Sequence, residues 1–156
     1  MPQPDEHWMR EALAEAEAAA QRGEVPVGAI IVLNDEIIGA GSNTCEADQQ
    51  AVHHAEMHAI QQASKALGSW RLEDCTLYVT LEPCPMCLGA CLNARIPRVV
   101  FGTTEPKAGA CGSVVDLRAP SGFNHAIDVI GGVLAEESAA LLRAFFRELR
   151  NQRKQS

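Results

Sequence analysis

The stretch TLEPCPMCLGA, residues 80–90, constrains the chain most, because it joins a strand, a proline and a helix at a pair of cysteines. The preceding run CTLYVTL alternates like a strand, and Pro83 cannot donate to a strand ladder, so the strand ends there. Cys84 and Cys87 then open a helix. Such a C-x-x-C pair is a redox dithiol, half of a structural zinc site, or two ligands of a catalytic metal.

The remaining cysteines and histidines weaken the first two alternatives. A structural zinc site needs a second ligand pair at finger or ribbon spacing, and the sequence has none. A thioredoxin-like dithiol follows the first strand of its domain, whereas this pair follows the third. Upstream, AVHHAEMHAI (residues 51–60) offers three histidines and a glutamate. His54, Cys84 and Cys87 complete a Cys2His set, which leaves one position of a catalytic zinc for water.

Three histidines compete for the ligand position. His58 lies one turn after His54, but the metalloprotease order H-E-x-x-H is absent, so we interpret His58 as a packing or surface residue. His53, the adjacent residue, is the other candidate for the ligand position, yet only His54 forms H-x-E with Glu56. H-A-E together with P-C-P-M-C is the signature of zinc-dependent nucleobase deaminases, whose glutamate is a general acid/base and not a ligand. Cys91, one turn beyond the cysteine pair, is interpreted as core.

Composition and charge limit the class of protein. With 156 residues, 47% hydrophobic and 21% charged, the chain is expected to form a single domain over residues 1–156. The start lacks a basic and apolar leader and no apolar run is long enough to span a membrane, so we expect a cytoplasmic protein. A net charge of −7 argues against a general nucleic-acid binder. Five of the 13 basic residues nevertheless lie in the last 14 positions.

Hydrophobic periodicity predicts the order helix, hairpin, two strand–helix units, strand and terminal helix. This order predicts a three-layer α/β/α domain around a mixed five-stranded sheet. The predicted helices are 6–21, 51–67, 84–94 and 135–152, and the predicted strands are 25–33, 36–41, 75–81, 98–102 and 126–130. The terminal helix is expected to bury Leu141, Leu142, Phe145, Phe146 and Leu149.

Over nearly its whole length the chain resembles the bacterial tRNA-specific adenosine deaminases, members of the cytidine deaminase-like superfamily. EVPVGAIIV, HAEMHAI, TLYVTLEPCPMC and RIPRVVFG are shared with other purine deaminases, while KAGACGS, FNH and LLRAFFRELR point to the tRNA enzyme. The resemblance implies a cytidine deaminase-like fold and hydrolytic deamination of the wobble adenosine in a tRNA anticodon stem-loop to inosine. It also implies a homodimer with one Zn²⁺ per chain.

The resemblance assigns roles to individual residues. His54, Cys84 and Cys87 match the zinc ligands, and Glu56 matches the residue that shuttles protons from water to N1 of the base. The positions that match substrate-binding residues are Asn43, Val27, Leu81, Glu105 and Lys107. Without the resemblance, Asn43 would be an ordinary loop residue, and Val27 and Leu81 ordinary core residues. Glu105 replaces a frequent aspartate and Ser42 a frequent tryptophan, at positions that concern RNA contacts.

Two other functions fit the same residues. A free purine base or nucleoside deaminase, similar to guanine deaminase, would keep every zinc residue without an RNA-binding surface, and the acidic net charge suits it. A non-catalytic zinc-stabilised binding protein would keep Cys84 and Cys87 but has no reason to place Glu56 beside the metal.

Overall fold

The computed structural model describes residues 2–119 and 124–155, so Phe123 of the FNH motif lies outside the described residues. None of the described helices combines the length and the apolar character that a membrane crossing requires. In chain order the elements are α1 (Asp5–Gln21), β1 (Gly28–Leu33), β2 (Glu36–Ser42), α2 (Cys45–Asp48), α3 (Ala55–Leu67), β3 (Thr76–Leu81), α4 (Pro85–Ala94), β4 (Arg98–Thr103), β5 (Asp128–Ile130) and α5 (Ala135–Gln155).

The sheet has five strands in the order β2-β1-β3-β4-β5. β1 runs antiparallel to both β2 and β3, while β3, β4 and β5 are parallel. β2 and β3 are therefore parallel to each other, and their carboxyl ends lie at one edge of the sheet. The predicted mixed five-stranded sheet is confirmed, and its connections bring the segments after β2 and β3 together.

The predicted hairpin between β1 and β2 is also confirmed. Asn34 and Asp35 both have positive φ, 50° and 62°, as a two-residue type I′ turn requires. β1 begins at Gly28, three residues later than predicted. A side chain at Gly28 would place a Cβ 2.1 Å from the carbonyl oxygen of Ala12, so this glycine lets α1 pack directly on β1.

Helices cover both faces of the sheet, as the predicted three-layer architecture requires. α1 and the first part of α5 cover one face, whose core includes Trp8, Met9, Leu13, Ile30, Tyr78 and Val100. α3 and α4 cover the other face, whose core includes Ala59, Ala63, Leu77, Leu88, Val99 and the fully buried Cys91. Small alanines on α3 let it lie close to β2, where a Cβ on Gly41 would meet the carbonyl oxygen of Ala55 at 2.5 Å.

One helix was predicted to begin too early, and a short helix before it was missed. The segment predicted as a helix from residue 51 begins at Ala55, and a separate short helix, α2, precedes it. The buried carboxylate of Glu24 accepts the backbone N–H groups of Glu46 (3.1 Å) and Ala47 (2.7 Å), which satisfies the first turn of α2. Glu24 lies 22 residues away, so the local pattern carried no sign of this helix.

The terminal helix is less buried than predicted. α5 runs to Gln155, three residues beyond the predicted end, and Ser138 is its one buried residue within the described chain. Leu141 packs against the sheet, but Leu142, Phe145 and Leu149 are half-buried and Phe146 is 41% exposed. The helix meets the sheet near its start, and residues 150–155 are all exposed.

Candidate active site

Two helices begin at the sheet edge where β2 and β3 end. His54 and Cys84 are the residues that cap α3 and α4, and both have extended backbone (φ −73°, ψ 156° and φ −76°, ψ 172°). Pro85 occupies the first turn of α4, where its missing N–H costs nothing. Cys87 follows in the same turn and is fully buried. Both positive helix ends face the same site and stabilise thiolates there.

His54, Cys84 and Cys87 form a three-donor cluster. The Nδ1 atom of His54 lies 3.6 Å from the Sγ of Cys84 and 3.5 Å from the Sγ of Cys87. Zinc ligands at about 2.0–2.1 Å for nitrogen and about 2.3 Å for sulfur are roughly 3.6 Å apart at tetrahedral angles. The three side chains thus have the donor types and spacing of a Zn²⁺ site, which the His/Cys/Cys cluster of this fold is suited to bind.

The two thiols have opposite pKa shifts because they share one hydrogen bond. The Cys87 thiol bonds to the Cys84 sulfur and lowers the pKa of Cys84 to about 4, against the effect of burial. The same bond, together with burial, raises the pKa of Cys87 far above its usual range. The bond with Cys84 also raises the pKa of His54. A coordinated metal ion would deprotonate both thiols outright.

Glu56 lies in the first turn of α3 and is only 4% exposed. Burial raises its pKa above the usual value, against the opposing effects of its own backbone N–H and of the charge on His54. A carboxyl group whose pKa is raised toward neutrality can both accept and donate a proton. Glu56 and His54 line the same cavity.

The cavity above the cluster has a volume of about 250 Å³. A cavity of this size can admit one flat heterocyclic base. Its lining residues are Val25, Val27, Asn43, His54, Ala55, Glu56, Leu81, Glu82, Cys84, Glu105 and Ala108. The predicted ligands His54 and Cys84, and the predicted substrate-binding residues Val27, Asn43, Leu81 and Glu105, therefore meet around one space.

Asn43 is held in a fixed orientation at the cavity wall. Its side-chain oxygen accepts the backbone N–H of Cys45 at 3.1 Å, and its backbone N–H donates to the carbonyl of Val27 at 3.2 Å. The side-chain NH₂ group is left to donate to a ligand. Arg22 supports the same segment by donating to the Ser42 hydroxyl at 2.6 Å.

Glu82 anchors the segment around Glu105, which also lines the cavity. This buried carboxylate accepts backbone N–H groups from Glu105 (3.0 Å), Cys111 (2.9 Å) and Ser113 (3.2 Å), and the Ser113 hydroxyl as well. Burial raises the pKa of Glu82, but these donors outweigh it and hold the pKa below its usual value. A Cβ on Gly109 would lie 2.4 Å from the carboxyl carbon, so only glycine fits beside it.

Lys107 lies on another surface. It is not among the cavity residues, and its backbone N–H donates to the Glu105 carboxylate at 2.9 Å. Its side chain lines a groove along α5, which we call the α5 groove. The groove is formed by Lys107, Leu142, Arg143, Phe146, Arg147, Leu149, Arg150 and Arg153.

The sequence reasoning missed the residues that support the site. Glu24 and Glu82 are buried carboxylates that hold the segments after Asn43 and around Glu105. A signal was present, since each glutamate stands beside an apolar stretch, in GEVPVGA and in VTLEPC. Charged residues in such surroundings are buried only when they are paired, so both positions could have been identified.

The chain is similar to known deaminases over most of its length. The model of the MafB19-like deaminase family matches residues 3–150. A tRNA-specific adenosine deaminase from Bacillus subtilis (strain 168) is 52% identical over 150 residues, which covers 96% of this chain and 93% of the relative.

Solved structures show the same relationship. A structure from studies of A-to-I editing by tRNA:A34 deaminases has a TM-score of 0.84 and 43% identity, over 87% of this chain and 99% of that one. A guanine deaminase from Bacillus subtilis has a TM-score of 0.64 and 31% identity, over 96% of this chain and 95% of that one. The chain belongs to the MafB19-like deaminase family and, within it, to the tRNA-specific adenosine deaminases.

Proposed function

We propose that this protein is a zinc-dependent hydrolase that converts the wobble adenosine of a tRNA anticodon loop to inosine. The observation that carries the proposal is the His54–Cys84–Cys87 cluster at zinc-ligand spacing with the buried Glu56 in the same cavity. Adenosine in tRNA as the substrate is supported by the names of the relatives described above.

His54, Cys84 and Cys87 would hold one Zn²⁺ per chain. When bound, zinc supplies the Lewis acidity that makes water a nucleophile at neutral pH. Cys87 is fully buried and Cys84 half-buried, so the two thiolates would be held rigidly beneath the cavity. Each thiolate contributes one negative charge, and together they balance the charge of the ion.

Glu56 is the proposed proton carrier. It accepts a proton from water and delivers it to N1 of adenine as the water oxygen bonds to C6. It then carries the second water proton to the exocyclic nitrogen, the C6–N bond breaks, and ammonia leaves. One adenosine and one water thus become one inosine and one ammonia. The raised pKa of Glu56 suits a group that must accept and release protons in turn.

The cavity residues are proposed to position the base. Asn43 presents a side-chain NH₂ donor to a ring nitrogen, since its oxygen is already bonded to Cys45. Val27 and Leu81 supply apolar contact to the base. A space for one flat ring requires the base to leave its stack, which costs little in an anticodon loop, where bases are unpaired.

The α5 groove is the proposed contact for the RNA backbone. It places Lys107 beside Arg147 and Arg150 on a chain whose net charge is −7. Phosphates attract Lys and Arg regardless of sequence, so this surface would orient the loop while the cavity reads the base. Glu105, which lines the cavity and accepts the backbone N–H of Lys107, would join the two surfaces.

We further propose a homodimer, a single deaminase domain over residues 1–156, and a cytoplasmic location, as the sequence led us to expect. Light scattering of the zinc-loaded protein tests the homodimer by measuring its mass in solution. A monomer with full activity would contradict the dimer.

A second candidate, deamination of a free purine base, is favoured by the similarity to guanine deaminase. The deciding experiment incubates the protein separately with an anticodon stem-loop carrying adenosine at the wobble position, free adenosine, guanine and cytosine. A stem-loop with the adenosine moved by one nucleotide is the matched control. We expect inosine from the first stem-loop alone, because remote contacts to the RNA orient the flipped base. Ammonia from guanine, with no inosine in the stem-loop, would refute the tRNA proposal.

A further inference from the structure

A second cluster of metal-binding side chains lies outside the cavity, formed by Asp48, His53 and His58. Asp48 ends α2, His53 precedes the cap of α3, and His58 lies in the second turn of α3. The ring centroids of the two histidines are 5.0 Å apart. One ligand atom from each of the three side chains lies within 4.8 Å of the other two.

Hydrogen bonds through Thr44 connect the cluster. The Nδ1 of His53 lies 2.7 Å from Oδ2 of Asp48, and the Thr44 hydroxyl lies 2.6 Å from the same oxygen. The Asp48 carboxylate can only accept, so both groups donate to it. The Thr44 oxygen, having donated its one proton, accepts from Nε2 of His58 at 2.7 Å. These bonds link the three side chains in one chain and keep their ligand atoms within 4.8 Å of one another.

These distances are close to those of metal ligands. Nitrogen and oxygen ligands bound at about 2.1 Å are roughly 3 to 4 Å apart, so atoms that lie within 4.8 Å of one another need shifts below about 1 Å per side chain. Two imidazoles and one carboxylate suit zinc, nickel or copper better than magnesium or calcium. The side chains of His53 and Asp48 are 31% and 40% exposed, which gives an ion a path from solvent.

We propose that Asp48, His53 and His58 bind a divalent transition-metal ion at a surface site distinct from the catalytic cluster. Binding moves the proton of each imidazole to its other nitrogen, so the rings release no proton, and the Asp48 carboxylate supplies one negative charge. The ion links α2, through Asp48, to α3, through His58, and so holds the segment between Asn43 and His54 in place. Being partly exposed and lacking thiolates, the site is weaker than the buried cysteine site. The proposal does not depend on the identity of the substrate.

The test is a zinc titration of the full chain. Protein passed through a chelating resin is dialysed against buffered free Zn²⁺, and bound metal is measured by mass spectrometry. We expect about one zinc after the resin, a second bound zinc as free Zn²⁺ rises, and loss of the second on repeated resin treatment. Zinc-dependent shifts of the ¹⁵N imidazole resonances of His53 and His58 locate the second ion.

Variants identify the ligands. His53→Asn and His58→Gln keep an amide nitrogen near the positions of Nδ1 and Nε2 but remove the imidazole, and each should weaken the second site by at least about 10-fold. The first zinc should remain, which shows that the variants fold. His7→Gln, on the exposed face of α1, is the matched control and should bind like the parent. A double variant that binds the second zinc as the parent does, or a parent that never exceeds one zinc, would overturn the proposal.

Discussion

His54 and Cys84 occupy equivalent positions, each capping a helix that begins at the same edge of the sheet, and their Nδ1 and Sγ atoms lie 3.6 Å apart. Cys87 adds a third donor 3.5 Å from the same nitrogen. Two helix caps and one residue of a first turn thus form a three-donor cluster that is compatible with zinc binding.

The first prediction concerns metal content. Resin-treated protein should retain about one zinc per chain, and His54→Ala should lose it, because two thiolates alone leave the ion short of its protein ligands. His53→Ala is the matched control. Its ring pairs with Asp48 at 2.7 Å, so this variant should keep the resin-resistant zinc. Elemental analysis decides, and zinc-free protein with full activity would contradict the assignment.

The second prediction concerns the proton carrier. Glu56→Gln should keep zinc and fold but lose a factor of about 10² to 10⁴ in turnover, because the amide cannot accept the proton from water. Single-turnover rates with the stem-loop, together with zinc content and circular dichroism, make the measurement. Turnover near that of the parent would remove Glu56 from the mechanism.

The third prediction concerns the α5 groove. The double variant Arg147→Gln/Arg150→Gln should bind the stem-loop more weakly. The slope of the logarithm of its binding constant against the logarithm of salt concentration should flatten by about 0.7 to 0.9 per lost phosphate contact. Lys65→Gln/Arg71→Gln, which removes the same charge from exposed positions outside the groove, should keep the parental slope. Binding titrations at several salt concentrations measure it, and an unchanged slope would mean that RNA does not contact the groove.

The fourth prediction concerns the sugar. The stem-loop made as DNA should react far more slowly than the RNA, because protein groups that bond the 2′-hydroxyls would be left without partners. Inosine formation is compared for the two loops at equal concentration. Equal rates would show that the protein does not contact these hydroxyls.

The fifth prediction concerns stability against pH. Asp5 accepts bonds from Arg98 at 2.7 Å and Tyr78 at 2.9 Å, and the bond from Arg98 is the main reason that the pKa of Asp5 lies below 3.8. The ionised form therefore stabilises the folded protein above pH 3.8, and this stability is lost as the pH falls through the folded pKa. Asp5→Asn should lower the free energy of unfolding by about 1 kcal/mol at pH 7.

Urea titrations at several pH values check this difference between parent and variant. It should shrink toward zero below pH 3.8, the ordinary value for this carboxyl. Glu11→Gln, at an exposed position on the same helix, serves as the control. A difference that stayed constant down to low pH would mean that the charge on Asp5 contributes nothing.

The predictions that succeeded rest on signals carried by adjacent residues. Asn34 and Asp35 tolerate positive φ, and Pro83 ends a strand. The hairpin and the β3–α4 junction could therefore be predicted from neighbouring residues alone. Gly68, with φ 65°, ends α3 as predicted. The family was likewise predicted from contiguous motifs, and the comparisons confirm it.

The wrong predictions concern elements whose position or burial depends on residues far away in the sequence. α2 was missed because the carboxylate that anchors it belongs to Glu24. Leu142 and Phe146 follow a helical apolar stripe, but periodicity cannot tell how far the sheet extends beneath them. Lys107 is a different case: it lies in the α5 groove and not at the cavity, and its predicted role in substrate binding stays a prediction that belongs to the proposed RNA contact.

The sequence by itself determined the chemistry that is possible: a histidine and two cysteines for zinc, and a glutamate two residues beyond the histidine. The H-x-E spacing singled out His54, but only the tertiary structure brings its ring to the two cysteines, while the ring of His53 pairs with Asp48. The physical reason is that capping and turn formation depend on a few neighbouring residues. Placing a side chain against a partner 30 residues away instead requires the strand order that brings both helix starts to one edge.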